Sequence, residues 1–134
     1  MGALYLLDTN ILIAALKGQA PVRHHLENTP LASLRLSVIV LGELQFGAEK
    51  SAYAERNRAR LAELAQRLPL AGLDEGTARQ YAHIRAHLER QGTPIGANDL
   101  WIAAQALSLE ATLVTDNQRE FQRVPDLVLE NWAV

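Results

Sequence analysis

The feature that most constrains this chain lies at its start, where an apolar run of strand length, Ala3-Leu4-Tyr5-Leu6-Leu7, meets Asp8-Thr9-Asn10 and passes at once into the apolar segment Ile11 to Leu16. A short unbroken apolar run reads as a strand buried on both faces, which belongs to a parallel sheet. Parallel strands need crossover connections, and a helix beginning directly after the strand supplies one. Asp8 then stands at the carboxyl end of a buried strand, the edge at which open α/β sheets carry their chemistry.

The rest of the chain keeps the same alternation. Thr9 to Lys17 reads as a helix ended by Gly18, and Pro21 to Glu27 as a second, with Asn28-Thr29-Pro30 as punctuation. Leu34 to Ser37 reads as a short strand, followed by an apolar helix over Val38 to Lys50 that contains one embedded acid, Glu43. Ala54 to Arg67 is an amphipathic helix with a charged outer face. Pro69 to Leu73 is a candidate third strand, and a long helix opens at Asp74 or Thr77 and runs to Arg90, stopped at Gly92. Asn98-Asp99 opens a helix over Leu100 to Leu109, Thr112 to Thr115 forms a strand ending at Asp116-Asn117, and Leu127 to Leu129 the last strand. This order predicts one domain, residues 1–134, with helices on both faces of a parallel sheet and right-handed crossovers.

The chain's 134 residues suffice for a hydrophobic core without covalent staples, and cysteine is absent, which removes disulfides, thiolate metal sites and thiol nucleophiles. A reducing cytoplasm is compatible with that. No run reaches membrane-spanning length, and the N-terminal apolar run lacks the basic leader and cleavage site of a signal peptide. The formal charge of −2 excludes a strongly basic nucleic-acid binder at the level of the whole chain, so any RNA contact is expected to be patchy or metal-mediated.

Four acids share one address in such a sheet. Asp8 and Asp116 end strands, Asp99 begins a helix, and Glu43 lies about one and a half turns into the helix after the second strand, counted from Ser37 as its cap. Each has an ordinary reading: Asp8 as a helix cap, Asp99 as a first-turn acid favoured by the macrodipole, Asp116 as a turn residue. Glu43 lacks such an excuse, because apolar neighbours flank it on both sides. A carboxylate taken out of water protonates or finds a cation. Clustered like charges repel unless neutralised, and hard oxygen ligands without His or Cys suit Mg²⁺ or Mn²⁺, one or two ions, with phosphate oxygens completing the coordination. A metal-dependent phosphodiester site follows, in which a carboxylate orients the attacking water. Its products carry 5′-phosphate and 3′-hydroxyl ends. In that arrangement Asp8 is given to the metal, and capping is expected to pass to Thr9 or Asn10.

The motifs Asp8-Thr9-Asn10, Gly42-Glu43-Leu44 with Phe46 to Ser51, Gly92 to Asp99 leading into Ile102-Ala103-Ala104, Val114 to Phe121, and the ending Glu130-Asn131-Trp132 together resemble the PIN-domain ribonucleases, in particular the VapC toxins of bacterial toxin–antitoxin pairs. The resemblance covers nearly the whole chain. It implies a PIN-like, Rossmann-like three-layer α/β/α fold with a central parallel sheet of four to five strands. Asp8, Glu43, Asp99 and Asp116 match the family's catalytic, metal-binding acids, and Thr9, Asn10, Thr115 and Asn117 fall at supporting polar positions. It further implies a toxin that inhibits translation and growth as an endoribonuclease on tRNA, the Phe46 to Ser51 and Gly92 to Gly96 blocks looking most like relatives that cut the initiator tRNA anticodon loop. A homodimer, a VapB-type antitoxin that blocks the cleft, and DNA contact only through that antitoxin complete the implied set.

Competing readings rest on particular residues. His83 and His87 at i and i+4 have a zinc-compatible spacing, but position 84 is Ile and no third ligand is nearby, so they, like His24 and His25, read as surface histidines. Receiver domains and aspartyl-phosphate phosphatases need a downstream Lys, and the second an acid where Asn10 stands; Lys17 and Lys50 fall at helix ends. A non-catalytic PIN-like dimerisation module in a DNA-binding complex would be expected to have lost acids, and none is lost. Arg85, Arg90 and Arg119, or Arg56, Arg58 and Arg60, are candidate substrate contacts, Arg85 and Arg119 foremost, though Arg among Glu also makes a solvated face. The helix around Leu41, Leu44 and Phe46 is a candidate antitoxin groove.

Overall fold

The computed structural model describes residues 2–134 and contains a five-stranded, wholly parallel sheet in the order β3-β2-β1-β4-β5. The strands are β1 (Tyr5–Leu7), β2 (Leu34–Ser37), β3 (Leu70–Ala71), β4 (Thr112–Val114) and β5 (Leu129–Glu130). Helices α1 (Thr9–Leu16) and α2 (Ala20–Glu27) join β1 to β2, followed by α3 (Val38–Lys50), α4 (Ala54–Arg67), α5 (Glu75–Gln91), α6 (Ala97–Leu109) and the single turn α7 (Gln118–Phe121). Chain order reverses at β1, whose neighbours are β2 on one side and β4 on the other. The crevice at the carboxyl ends of β1 and β4 is therefore the topological switch point.

The apolar run of β1 is buried as its composition demands. Leu6 and Leu7 are fully covered and lie in register with Leu113 and Val114 of β4. Leu36, Ile11, Leu12, Ile102 and Phe121 join the same core cluster. Helix α6 is buried through Ile102, Ala103, Ala104, Gln105 and Ala106, small side chains that let it lie close to its neighbours. The Gln105 amide donates to the carbonyls of Ala71 (2.7 Å) and Gly72 (3.0 Å), fastening α6 to the end of β3. Helix α6 also packs along α5, with Tyr81 and Trp101 stacked at 3.8 Å between ring centroids. These contacts hold the start of α6 at the sheet edge.

Several helix signals act as their chemistry predicts. Ser37 caps α3, its hydroxyl accepting from the Ile39 N–H at 3.1 Å. Asp74 caps α5, and Gly92 ends that helix in the left-handed conformation at φ 70°. Four boundaries differ from expectation. Helix α6 begins at Ala97, which moves Asp99 inside the first turn. The third strand shrinks to Leu70–Ala71, the next carbonyl being taken by Gln105 instead of a strand. The last strand is Leu129–Glu130, because parallel pairing with Leu113 and Val114 starts there, just after Asp126 turns the chain with φ 67°. The turn α7 was not expected at all. His25 is half-buried and stacks on Trp132 at 5.0 Å, so it is a packing residue; His83 is exposed on α5 and His87 half-buried.

Candidate metal centre

Asp8 is only 4% exposed and is fixed from three sides. One carboxylate oxygen accepts from the Thr9 N–H at 2.8 Å; the other accepts from the Thr115 hydroxyl at 2.8 Å and the Asn10 amide at 3.4 Å. Asp8 is also the N-cap of α1. The expectation that capping passes to Thr9 or Asn10 is thus wrong: a carboxylate at the end of β1 has an oxygen aimed at the first free N–H of α1 and another left for the cleft. Burial pushes its pKa up, the Thr115 and Thr9 bonds pull it back, and the nearby charge of Asp116 pushes it up again.

Glu43 projects from α3 toward the same crevice. Its Oε1 is buried without a hydrogen-bond partner, as is the Thr9 hydroxyl beside it. Burial raises the Glu43 pKa, the Thr9 hydroxyl, near but outside hydrogen-bonding geometry, offsets part of the rise, and the charge of Asp8 adds to it. Asp99, in the first turn of α6, is pushed up to about 7 by burial, then by contact with Glu120 and by the charges of Glu120, Asp8 and Glu43. Asp8, Glu43, Asp99 and Glu120 thus share one electrostatic field.

Glu120 is a site residue that sequence reasoning missed. Its Oε1 accepts from the Gly96 N–H at 3.0 Å and its Oε2 from the Asn117 amide at 2.8 Å. Burial opposes its charge, but these donors, the contact with Asp99 and the Arg123 guanidinium outweigh it and hold Glu120 below the usual carboxylate range. Asp99 and Glu120 therefore share a proton that rests on Asp99. The available signal was the spacing Asn117-x-x-Glu120 at a helix start, the interval of a capping box. Without α7 in the expected fold, that interval had no helix to begin.

The supporting polar residues form one relay. Thr115, fully buried after β4, donates to Asp8 and accepts from the Asn117 N–H at 3.0 Å, and Asn117 in turn donates to Glu120. Asn10 accepts from the Asp116 N–H at 3.3 Å. Asp116 itself is exposed, close enough to act on Asp8 but outside the relay. Arg85 is tied along α5 to the Tyr81 hydroxyl at 3.0 Å and to Glu89 at 3.6 Å, and Arg119 is exposed on α7. Of the candidate groove residues, Leu44 is core, while Leu41 and Phe46 line a surface cleft between α3 and α4.

Among the described residues, no three His, Asp or Glu side chains are grouped so as to hold an ion as they stand. That does not disqualify Mg²⁺ or Mn²⁺, since Mg²⁺ is ordinarily held by one or two carboxylates, waters and substrate phosphate instead of an all-protein cage. The donor set fits such an ion: every candidate is a hard oxygen, Glu43 Oε1 is buried and unpartnered, and the acids raise one another's pKa.

A parallel α/β sheet in this strand order brings buried Asp8 and half-buried Glu43 and Asp99 to its switch point, the edge at which such sheets bind ligands. The PIN domain family model matches residues 5–127, and the chain belongs to that family. It is 40% identical over 132 residues to the ribonuclease VapC2 of Rickettsia felis, covering 96% of this chain and 98% of that protein. It is likewise 40% identical over 130 residues to the tRNA(fMet)-specific endonuclease VapC of Shigella flexneri, covering 96% and 98%. Among solved structures, the DNA-bound VapBC of Salmonella typhimurium contains a chain that superimposes with a TM-score of 0.92 at 37% identity, covering 98% of this chain and 99% of that one.

Proposed function

We propose that this protein is a Mg²⁺- or Mn²⁺-dependent endoribonuclease that acts as the toxin of a toxin–antitoxin pair and hydrolyses tRNA. The observation that carries the reading is the convergence of buried Asp8 with half-buried Glu43 and Asp99 at the switch point, where the charge of Asp8 raises the pKa of the other two and Glu43 Oε1 is unpartnered. VapC relatives named as ribonucleases and as a tRNA(fMet)-specific endonuclease support it, and extend it to initiator tRNA as the first substrate to test. Asp8, Glu43 and Asp99 would hold the ion, one or two in number, with Asp116 at the open side. The ion supplies charge stabilisation at the scissile phosphate and lowers the pKa of attacking water.

The chain's own residues do the rest. Thr115 and the Thr9 N–H fix the Asp8 carboxylate, so one rotamer faces the cleft. Glu120, held by Gly96 and Asn117, fixes the start of α6 and the proton of Asp99. When that proton leaves, Asp99 gains the charge needed to take part in ligation. Glu43, whose Oε1 is left without a hydrogen-bond partner, would orient the water for in-line attack.

The VapBC complexes among the structural neighbours, two of them bound to DNA, support a VapB-type antitoxin as partner; a homodimer, with DNA contact only through the antitoxin, completes the proposed assembly. The test is cleavage of bacterial tRNA by antitoxin-free protein in Mg²⁺ or Mn²⁺. Activity should vanish with chelator and with Asp8→Asn, leaving 5′-phosphate and 3′-hydroxyl ends in the active samples. Folded, metal-loaded protein that leaves every RNA pool intact ends this reading.

A further inference from the structure

Helix α3 presents an exposed strip that the core does not use. Val38, Gly42 and Phe46 recur four residues apart, and the Phe46 ring is 63% exposed. Gly42 lies inside the helix, where alanine is the stronger helix former, yet a Cβ there would meet nothing within 4 Å. Packing within the fold therefore does not require glycine, and the space over Gly42 is open to the outside. Together with Ile39, Glu43 and Asn98 the strip lines a shallow shelf of about 310 Å³. Glu43 belongs both to this shelf and to the acid centre, and Asn98 immediately precedes Asp99. At the far end the Lys50 ammonium lies 5.2 Å from the centre of the Phe46 ring.

We propose that this shelf seats an unstacked nucleobase of the RNA strand next to the scissile phosphate, with Phe46 as its stacking platform and Asn98 facing its edge. The proposal rests on the ribonuclease reading above. Phosphate held at the acids brings the adjoining nucleotide over α3, and Phe46 follows Glu43 by three residues, a rise of about 4.5 Å. Aromatic rings stack with any base, and an amide side chain offers both a donor and an acceptor to a base edge. Leaving Gly42 without a side chain lets the base plane approach the helix. A second copy of the chain is the competing occupant. It fits less well, because a shelf of about 310 Å³ lined by Glu43 and Asn98 is unlike the large, charge-depleted core of a stable self-association face.

The test is steady-state cleavage of a bacterial total-tRNA preparation in Mn²⁺ by wild type, Phe46→Ala, Phe46→Trp and Gly42→Leu, with the oligomeric state of each measured by light scattering. Removing the platform should raise KM roughly 5- to 100-fold with the loss falling on KM rather than kcat, as expected for one lost base stack. Phe46→Trp should restore KM, and Gly42→Leu should raise it without lowering the melting temperature. Unchanged KM in Phe46→Ala and Gly42→Leu overturns the shelf while leaving the ribonuclease reading intact. A changed oligomeric state in Phe46→Ala overturns it in favour of a face between copies. Wild-type protein inactive on all RNA defeats both, and is recognised by the control lane alone.

Discussion

The double role of Asp8, cap and cleft acid, makes two substitutions at one position diverge. In Asp8→Asn the amide oxygen can still accept from the Thr9 N–H, and Asn caps helices about as well as Asp. The new NH₂ can donate to the Thr115 hydroxyl, which rotates to accept, and the charge that burial and Asp116 disfavour is gone. Metal-free Asp8→Asn should therefore match or slightly exceed wild type in stability. Asp8→Ala loses the cap, about 1 kcal/mol with a range of roughly 0.5–2. It also strips the fully buried Thr115 hydroxyl of its acceptor, about 1–2 kcal/mol more. The sum, about 2–4 kcal/mol, should lower the urea midpoint well beyond measurement error at unchanged m-value. Both variants should be inactive. The assay is urea unfolding at pH 7 with chelator present, beside RNA cleavage in Mn²⁺. If Asp8→Asn is as unstable as Asp8→Ala, the charge itself holds the fold and the assignment of Asp8 to a cation is refuted.

Further outcomes follow from the acid site and from the packing of α6. Because Asp99 holds its proton up to about 7, divalent-ion affinity by calorimetry should climb toward pH 7 from below, by at most about tenfold per unit, and level above it. Glu120→Gln, which removes the partner that keeps the proton on Asp99, should move that rise to lower pH; an unmoved rise means that Glu120 does not act on Asp99. The linkage runs the other way for the metal-free fold. An acid whose folded pKa is raised costs stability as pH rises from the ordinary carboxylate range to about 7, so chelated protein should unfold more readily at pH 8 than at pH 5. Gln105→Met should cost about 1–3 kcal/mol in urea unfolding, since it leaves the Ala71 and Gly72 carbonyls without their donor.

Much of the scaffold was legible because its signals are local. Asp8 closes an unbroken apolar strand, Ser37 precedes an apolar helix, and Gly92 supplies the one conformation a helix stop favours at φ 70°. The parallel sheet and the βα alternation follow from those. The carboxyl-edge logic puts Asp8, Glu43 and Asp99 at one edge, and the charge of Asp8 acts on both of the others. What was not legible depended on contacts across the fold. Glu120 acts through Gly96, 24 positions away. His25 earns its place from a Trp132 that reaches it only when the chain's end folds back. The boundary of β5 is set by pairing with β4, which hydropathy alone cannot register.

The way the chain distributes its own cations bears on what must neutralise the centre. Among the described residues, the four ion pairs join Arg58 to Glu49, Arg67 to Glu63, Arg79 to Glu75 and Arg85 to Glu89, all on helix surfaces. None reaches Asp8, Glu43 or Asp99, and the one guanidinium that acts nearby, Arg123, bears on Glu120. Asp8 and Glu120 are instead positioned by neutral donors: the Thr115 hydroxyl, the Asn10 and Asn117 amides and the backbone N–H groups of Thr9 and Gly96. Neutral donors fix direction without cancelling charge. An intramolecular Arg would stabilise the empty fold more, but it would also occupy the oxygens that a cation or phosphate-bound ion must use. Positive charge for this centre therefore has to arrive from outside the chain, and whatever brings it, an ion or a basic side chain from a bound partner, competes for the same oxygens. A blocking partner that inserts an Arg would then lose affinity as Mn²⁺ is raised, whereas one that only covers the cleft would not. Measuring antitoxin affinity across a Mn²⁺ titration separates the two, and independence from the ion would exclude direct neutralisation of the acids.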